Sequence, residues 1–233
     1  MVDLTREMAD LWAALGRPSP LRGRVLMMVS AQSGEGTSTV AREFARCAAA
    51  YARKPVWLVD ADISHQSQLD AISEDRKRFG PPGPLASAAP DGQVFFSVRP
   101  ASKDAQGRLV QDGAYLICRP FLDRKLWVTR FRDQSLRRGQ AVRLRDDSGY
   151  WDAMRQHAET TIVDVPAADR SATALALAPY MDAIVLVVAE EFGTVESRLT
   201  LRNDLEEAGG RLAGMVYNRA RQTRNRPLKR LVP

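Results

Sequence analysis

Five short runs rich in Val, Ile, Leu and Met recur along the chain: "RVLMMVS", "PVWLVDAD", "TTIVDVP", "AIVLVVA" and "RLAGMVYN". Each is of strand length and nearly continuous in apolar character, the pattern of a parallel strand buried on both faces. Between the first two, "STVAREFARCAAAYARK" sets Val40, Ala41, Phe44, Cys47, Ala48 and Tyr51 at helical spacing. A second helix is predicted from about Thr194 to Ala208, stopped by Gly209-Gly210. Near the N-terminus, Leu4, Met8, Leu11, Trp12 and Leu15 form one helical stripe that Gly16 and Pro18 end. Strands alternating with helices predict an α/β fold, a doubly wound and mostly parallel sheet flanked by helices.

The middle, from about 74 to 147, breaks this rhythm. "FGPPGPLASAAPDG" is a loop by its Pro and Gly content. It leads to three β-like runs, "VFFSV", "AYLIC" and "LWVTRF", which read as an added hairpin or small sheet within an irregular insertion. The expected organisation is an amphipathic helix over 1–18, a main domain over 19–218 with this insertion at 74–147, and a tail over 219–233.

The tail changes the electrostatic picture. Six of the 34 Lys and Arg lie from Arg219 to Pro233 and no acid does; the remainder balance the 28 Asp and Glu. A neutral body with a basic tail suits an anionic membrane face, a nucleic acid or an acidic partner, or is simply a solvated end. The longest apolar run is too short to span a bilayer, and no apolar leader core follows the acidic N-terminus, so a cytoplasmic chain is expected. Cys47 and Cys118 then read as reduced core residues. His65 and His157 have no partners at metal-ligand spacing.

The chemistry concentrates at strand ends. "SAQSGEGTST", Ser30 to Thr39, follows the first strand and opens the first helix. Gly34, Glu35, Gly36, Thr37, Ser38 and Thr39 match a phosphate-binding loop, G-x-x-x-x-G-K-[ST], except that Thr37 stands where its Lys should be. Such a loop works by pointing successive N–H groups into a nest at a helix N-terminus. It can equally be a plain Gly-rich turn. Ser38 could offer a hydroxyl to Mg²⁺. Asp60 and Asp62, ending the second strand, could hold Mg²⁺ or orient an attacking water as catalytic carboxylates; both could instead cap the next turn. Asp164, ending the third, sits where a metal-binding carboxylate belongs, and Asn218 closes the fifth. All fall at the carboxyl ends of parallel strands, where ligands bind in such sheets.

These segments resemble the MinD/ParA group of P-loop ATPases, and more closely the cytoplasmic domain of bacterial tyrosine kinases that work with chain-length regulators of polysaccharide export. "VWLVDADIS" is similar to that family's LLIDADLR segment and "TTIVDVPAAD" to its VIIDTPP segment. The stretch from "ALALAPYMDAIVLVVA" to "MVYNR" resembles its C-terminal half. The likeness covers about 25–65 and 145–220. It implies a P-loop NTPase-like fold, ATP or ADP with Mg²⁺ as ligand, nucleotide contacts through Gly34–Thr39, and Asn218 near the adenine. It also implies Ser38, Asp60 and Asp164 as metal residues. Three departures matter. Both loop lysines of the family are absent (Gln32 and Thr37), the tail has no Tyr cluster, and Glu7 is followed by Asp10 and Ala13 instead of the arginines of a ring-forming motif.

Losing a preorganised charge on a phosphoryl group costs roughly 10²–10³ in rate or more. The expectation is therefore a non-catalytic or weakly active accessory subunit of exopolysaccharide, including holdfast, biosynthesis and export. It would lie peripherally at the inner membrane beside a polysaccharide co-polymerase or chain-length regulator, with homo-oligomerisation open. Two alternatives stand beside it. One is a slow ATPase or protein kinase whose lost Lys is replaced from elsewhere, with Arg42 and Arg170 as candidates. The other, ranked lower, is a ParA-like DNA-binding positioning protein.

Overall fold

The computed structural model describes residues 4–219; the basic segment beyond Arg219 lies outside the described residues. In chain order the elements are α1 (Thr5–Leu15), β1 (Arg24–Val29), α2 (Thr37–Tyr51), β2 (Val56–Asp60), α3 (Gln68–Glu74), α4 (Arg76–Phe79), β3 (Ala86–Ser87), β4 (Phe96–Arg99), β5 (Leu116–Phe121), β6 (Leu126–Phe131), β7 (Ala141–Leu144), α5 (Gly149–His157), β8 (Thr160–Asp164), α6 (Thr173–Leu177), β9 (Ala183–Ala189), α7 (Val195–Glu207) and β10 (Leu212–Asn218). Eight strands form one sheet in the order β10-β9-β1-β8-β2-β6-β5-β3, parallel from β10 through β6.

The central strands are apolar without interruption because both faces are covered. Leu26 and Met28 of β1 pack with Phe44 and Ala48 of α2 on one side. Met27 and Val29 pack with Trp151 of α5 and Leu201 of α7 on the other. Each face is thus buried under helices, which is what the continuous hydrophobic runs require.

The middle segment is less separate than the sequence suggests. "LWVTRF" is β6, which pairs in parallel with β2 and extends the main sheet, while "AYLIC" supplies β5, antiparallel to β6. Trp57 and Trp127, opposite each other on β2 and β6, stack at 5.5 Å. "VFFSV" contributes β4, which pairs with β7 in a separate two-stranded sheet. Phe96 meets Phe131 edge-to-face at 5.0 Å and Phe95 lies 5.4 Å from Trp151, so this small sheet shares the main core.

Helix α1 lies along α2 through Met8 and Trp12, with the Trp12 ring 6.0 Å from Phe44. Its C-terminal carbonyls are satisfied from the sheet: Arg24 Nη1 donates to Leu15 O at 2.9 Å and Gly16 O at 2.7 Å. The same guanidinium sits 4.8 Å from the Trp12 ring centre, adding a cation–π contact to the cap. Among the described residues no helix is long and apolar enough to cross a membrane.

Candidate phosphate-binding site

The loop from Ser30 to Gly36 joins the end of β1 to the start of α2. Gly34 (φ +93°) and Gly36 (φ +90°) both lie in the left-handed region. A Cβ at Gly34 would come 2.7 Å from Phe192 Cε1, and one at Gly36 would come 2.2 Å from Asn218 Nδ2, so only glycine fits either place. Between these turns Glu35 points inward and is fully buried. Its carboxylate accepts from Gln32 N at 3.0 Å and Ala189 N at 3.2 Å, and pairs with Arg198 Nη2 at 3.3 Å. Arg198 also donates to the carbonyls of Ala189 and Phe192. The loop is held shut from behind by the end of β9 and the first turn of α7, while α2 presents its N-terminal N–H groups outward.

The missing cation leaves a mark. Thr37 is buried and its hydroxyl has no hydrogen-bond partner. Neither arginine considered as a substitute bonds a loop residue, although Arg42 lines the cavity beside the loop. Arg42 Nη1 donates to Gln68 Oε1 at 3.2 Å, and Arg170 is paired with Asp62. An acid stands on the loop instead: Asp169 accepts from Ser33 N at 3.0 Å and from Ser33 Oγ at 2.9 Å.

Asp60 and Asp164 face each other in register across β2 and β8. Asp60 is occupied by the backbone that follows it, accepting from Asp62 N on one oxygen and from Ser67 N and Gln68 N on the other. Asp164 Oδ2 accepts from Gln68 Nε2 at 2.6 Å, and the same amide donates to Ser38 O at 2.8 Å. Burial raises both carboxyls, Asp60 to about 7 with Asp164 adding to the shift, and Asp164 to about 6 against the opposing pull of Gln68 and Ser38. Asp164 Oδ1 is buried without a partner beside Ser38. An unpaired carboxylate oxygen near a hydroxyl is a donor set that fits a hydrated Mg²⁺, with Ser38 and Asp164 as the residues that would hold it. Among the described residues no cluster of three or more His, Cys, Asp or Glu forms a metal site.

Beside the loop opens a cavity of about 750 Å³, lined by Gly36, Thr39, Arg42, Asn218 and Arg219, together with Leu4 and, from α1, Met8. Asn218 reaches it with its amide already engaged: Nδ2 donates to Glu35 O at 2.8 Å and Oδ1 accepts from Arg219 N at 3.0 Å. Gly34 through Thr39, Asp164 and Asn218 are therefore brought to one pole of the sheet. Asp62 turns away to Arg170 and His65, into a separate cleft under Val142 and Leu144 of β7. His157 pairs with Asp91 at 3.0 Å.

The sequence reading missed Gln68, Asp169 and Arg198, which together hold the loop and its carboxylates. Gln68 and Arg198 carried a positional signal, each opening a helix that follows a carboxyl-end strand. Asp169 carried none.

No family model matches the sequence, and no curated protein matches it. Solved structures do. The kinase domain of Escherichia coli tyrosine kinase ETK aligns at TM-score 0.57 and 16% identity, over 86% of this chain and 70% of that one. The VpsO kinase domain aligns at TM-score 0.53 and 16% identity, over 85% and 86%. The septum site-determining protein MinD of Pyrococcus horikoshii, complexed with Mg-ADP, aligns at TM-score 0.53 and 14% identity, over 84% and 70%. The likeness shows that this chain shares the fold of these domains.

Proposed function

We propose that this chain is a P-loop-fold protein that keeps the shape of a nucleotide site and has given up phosphoryl transfer. It serves as an accessory or regulatory subunit in exopolysaccharide synthesis and export. The single observation that carries this reading is the loop without a cation: Thr37 is a buried, unpartnered hydroxyl, Arg42 is bonded to Gln68, and Arg170 is paired with Asp62. A triphosphate transition state needs positive charge at that point.

Binding is a separate matter from turnover. The glycine nest, the unpaired Asp164 oxygen and the 750 Å³ cavity support weak retention of a Mg-nucleotide. Such a nucleotide, bound without hydrolysis, would act as a switch between partner-bound forms. The polysaccharide connection rests on the likeness of residues 174–219 to the export-associated kinases and on the fold shared with ETK. The partner is then a membrane co-polymerase or chain-length regulator, with the basic tail adding attraction to the anionic inner face of the membrane.

Calorimetric titration of Mg-ATP and Mg-ADP into the intact chain tests the reading, with Thr37→Lys and Ser38→Ala beside it. The expected result is weak or no binding, no hydrolysis, and a clear gain of affinity in Thr37→Lys. Steady hydrolysis by the native chain that Asp60→Ala abolishes would overturn it in favour of a slow enzyme.

A further inference from the structure

At the pole opposite the loop, the connection between α1 and β1 runs past the C-terminal end of α2. A cleft of about 520 Å³ opens there, reaching down to the starts of β1 and β8 at Gly23 and Glu159. Its floor is aromatic: Trp12 of α1 and Tyr51 of α2 are stacked, 6.3 Å apart with ring planes 15° from parallel. Arg24 holds the Trp12 ring from beneath, and Tyr51 is 60% exposed. Pro18 and Pro20 wall one side. Their fixed φ makes that wall stiff.

The rim is cationic. Arg17, Arg53 and Lys54 line the cleft, all exposed, and none has a carboxylate partner among the described residues. The acid present, Glu159, is committed to the backbone, accepting from Arg53 N at 2.7 Å and Lys54 N at 3.0 Å. It fixes the turn that carries two of the three cations. Three unpaired positive charges around the exposed Tyr51 ring, which the buried Trp12 backs, make a recognition surface, since a ring held in place supplies contact area at low ordering cost and the charges steer an anion toward it.

We propose that this cleft docks an acidic peptide segment of a partner protein, seating a proline or aromatic side chain on the Tyr51 ring while its carboxylates meet Arg17, Arg53 and Lys54. The concavity favours a peptide over a lipid surface, because an extended chain can enter a cleft of about 520 Å³ that a flat bilayer cannot. The site is independent of the nucleotide reading, being at the other end of the strands.

The test is fluorescence anisotropy of a labelled peptide of glutamates and prolines with one central phenylalanine, titrated with the full chain. Tyr51→Ala and the double variant Arg53→Glu/Lys54→Glu are each expected to weaken binding at least about tenfold, equal to about 1.4 kcal/mol. A chain whose six tail cations, from Arg219 to Arg230, are replaced by Gln should keep most of its affinity. If Tyr51→Ala fails to fold, the charge reversal decides, because both residues are exposed. Affinity unchanged in the cleft variants, or lost with the tail cations, overturns the proposal. So does binding of phosphatidylglycerol vesicles that depends on the cleft residues while the peptide does not bind.

Discussion

Gln68 donates from one amide nitrogen to both Ser38 O and Asp164 Oδ2, at 2.8 and 2.6 Å. Its other end accepts from Arg42. One fully buried side chain thereby ties the start of α2, the end of β8 and the start of α3 into a single polar unit. Where the loop's own lysine would have organised charge, a neutral amide organises structure.

Removing that amide should therefore act on stability. Gln68→Ala leaves Asp164 and the Arg42 guanidinium short of a partner, and an unsatisfied buried group costs about 1–3 kcal/mol. The expected result is a lower urea midpoint with little change in slope.

The paired carboxylates set a pH dependence. Asp60 and Asp164 are raised by burial to about 7 and about 6, so the folded state holds their protons more tightly than the unfolded chain. For an acid with a raised folded pKa, stability falls as pH climbs from about 4 toward 7, because the folded form must then ionise at a penalty. Asp164→Asn should remove part of that penalty, on the order of 2 kcal/mol. Thermal melts at pH 5 and pH 8 would show the variant gaining on the native chain only at the higher pH. An equal effect at both would exclude the linkage.

Arg198 faces a buried carboxylate. Arg198→Ala strands the Glu35 charge inside the loop, a change expected to cost about 3–5 kcal/mol. Arg198→Ala combined with Glu35→Gln should recover much of the loss, because the stranded charge is gone. A double variant as unstable as the single one would show that Arg198 matters for its carbonyl bonds instead.

Asp169 holds the N–H and hydroxyl of Ser33. Asp169→Ala removes a negative charge from the mouth of the nest, so inorganic phosphate and ADP should bind more tightly, by several-fold in a low-salt titration. Unchanged affinity would mean that Asp169 is a structural cap beyond reach of the ligand.

Much of this was legible in the residues. The five parallel strands announced themselves because strands covered on both faces cannot alternate, and the glycines at 34 and 36 because nothing else fits there. β6 was harder to place. "LWVTRF" follows a Pro-rich loop and another β-like run, so the sequence reads it as part of an added unit; its parallel pairing with β2, with Trp57 stacked on Trp127, shows it joining the main sheet. The inward Glu35 was invisible for a different reason. A carboxylate in a phosphate loop looks like a surface residue until the arginine that neutralises it, more than 160 residues away, comes into view.

Helix α2 has the loop at its first turn and the aromatic cleft at its last. Its 15 residues make a rod of roughly 22 Å. Gly36, its N-cap, lies against Asn218, and Tyr51 is its last residue. The glycine loop and the aromatic cleft are thus the two ends of a single helix.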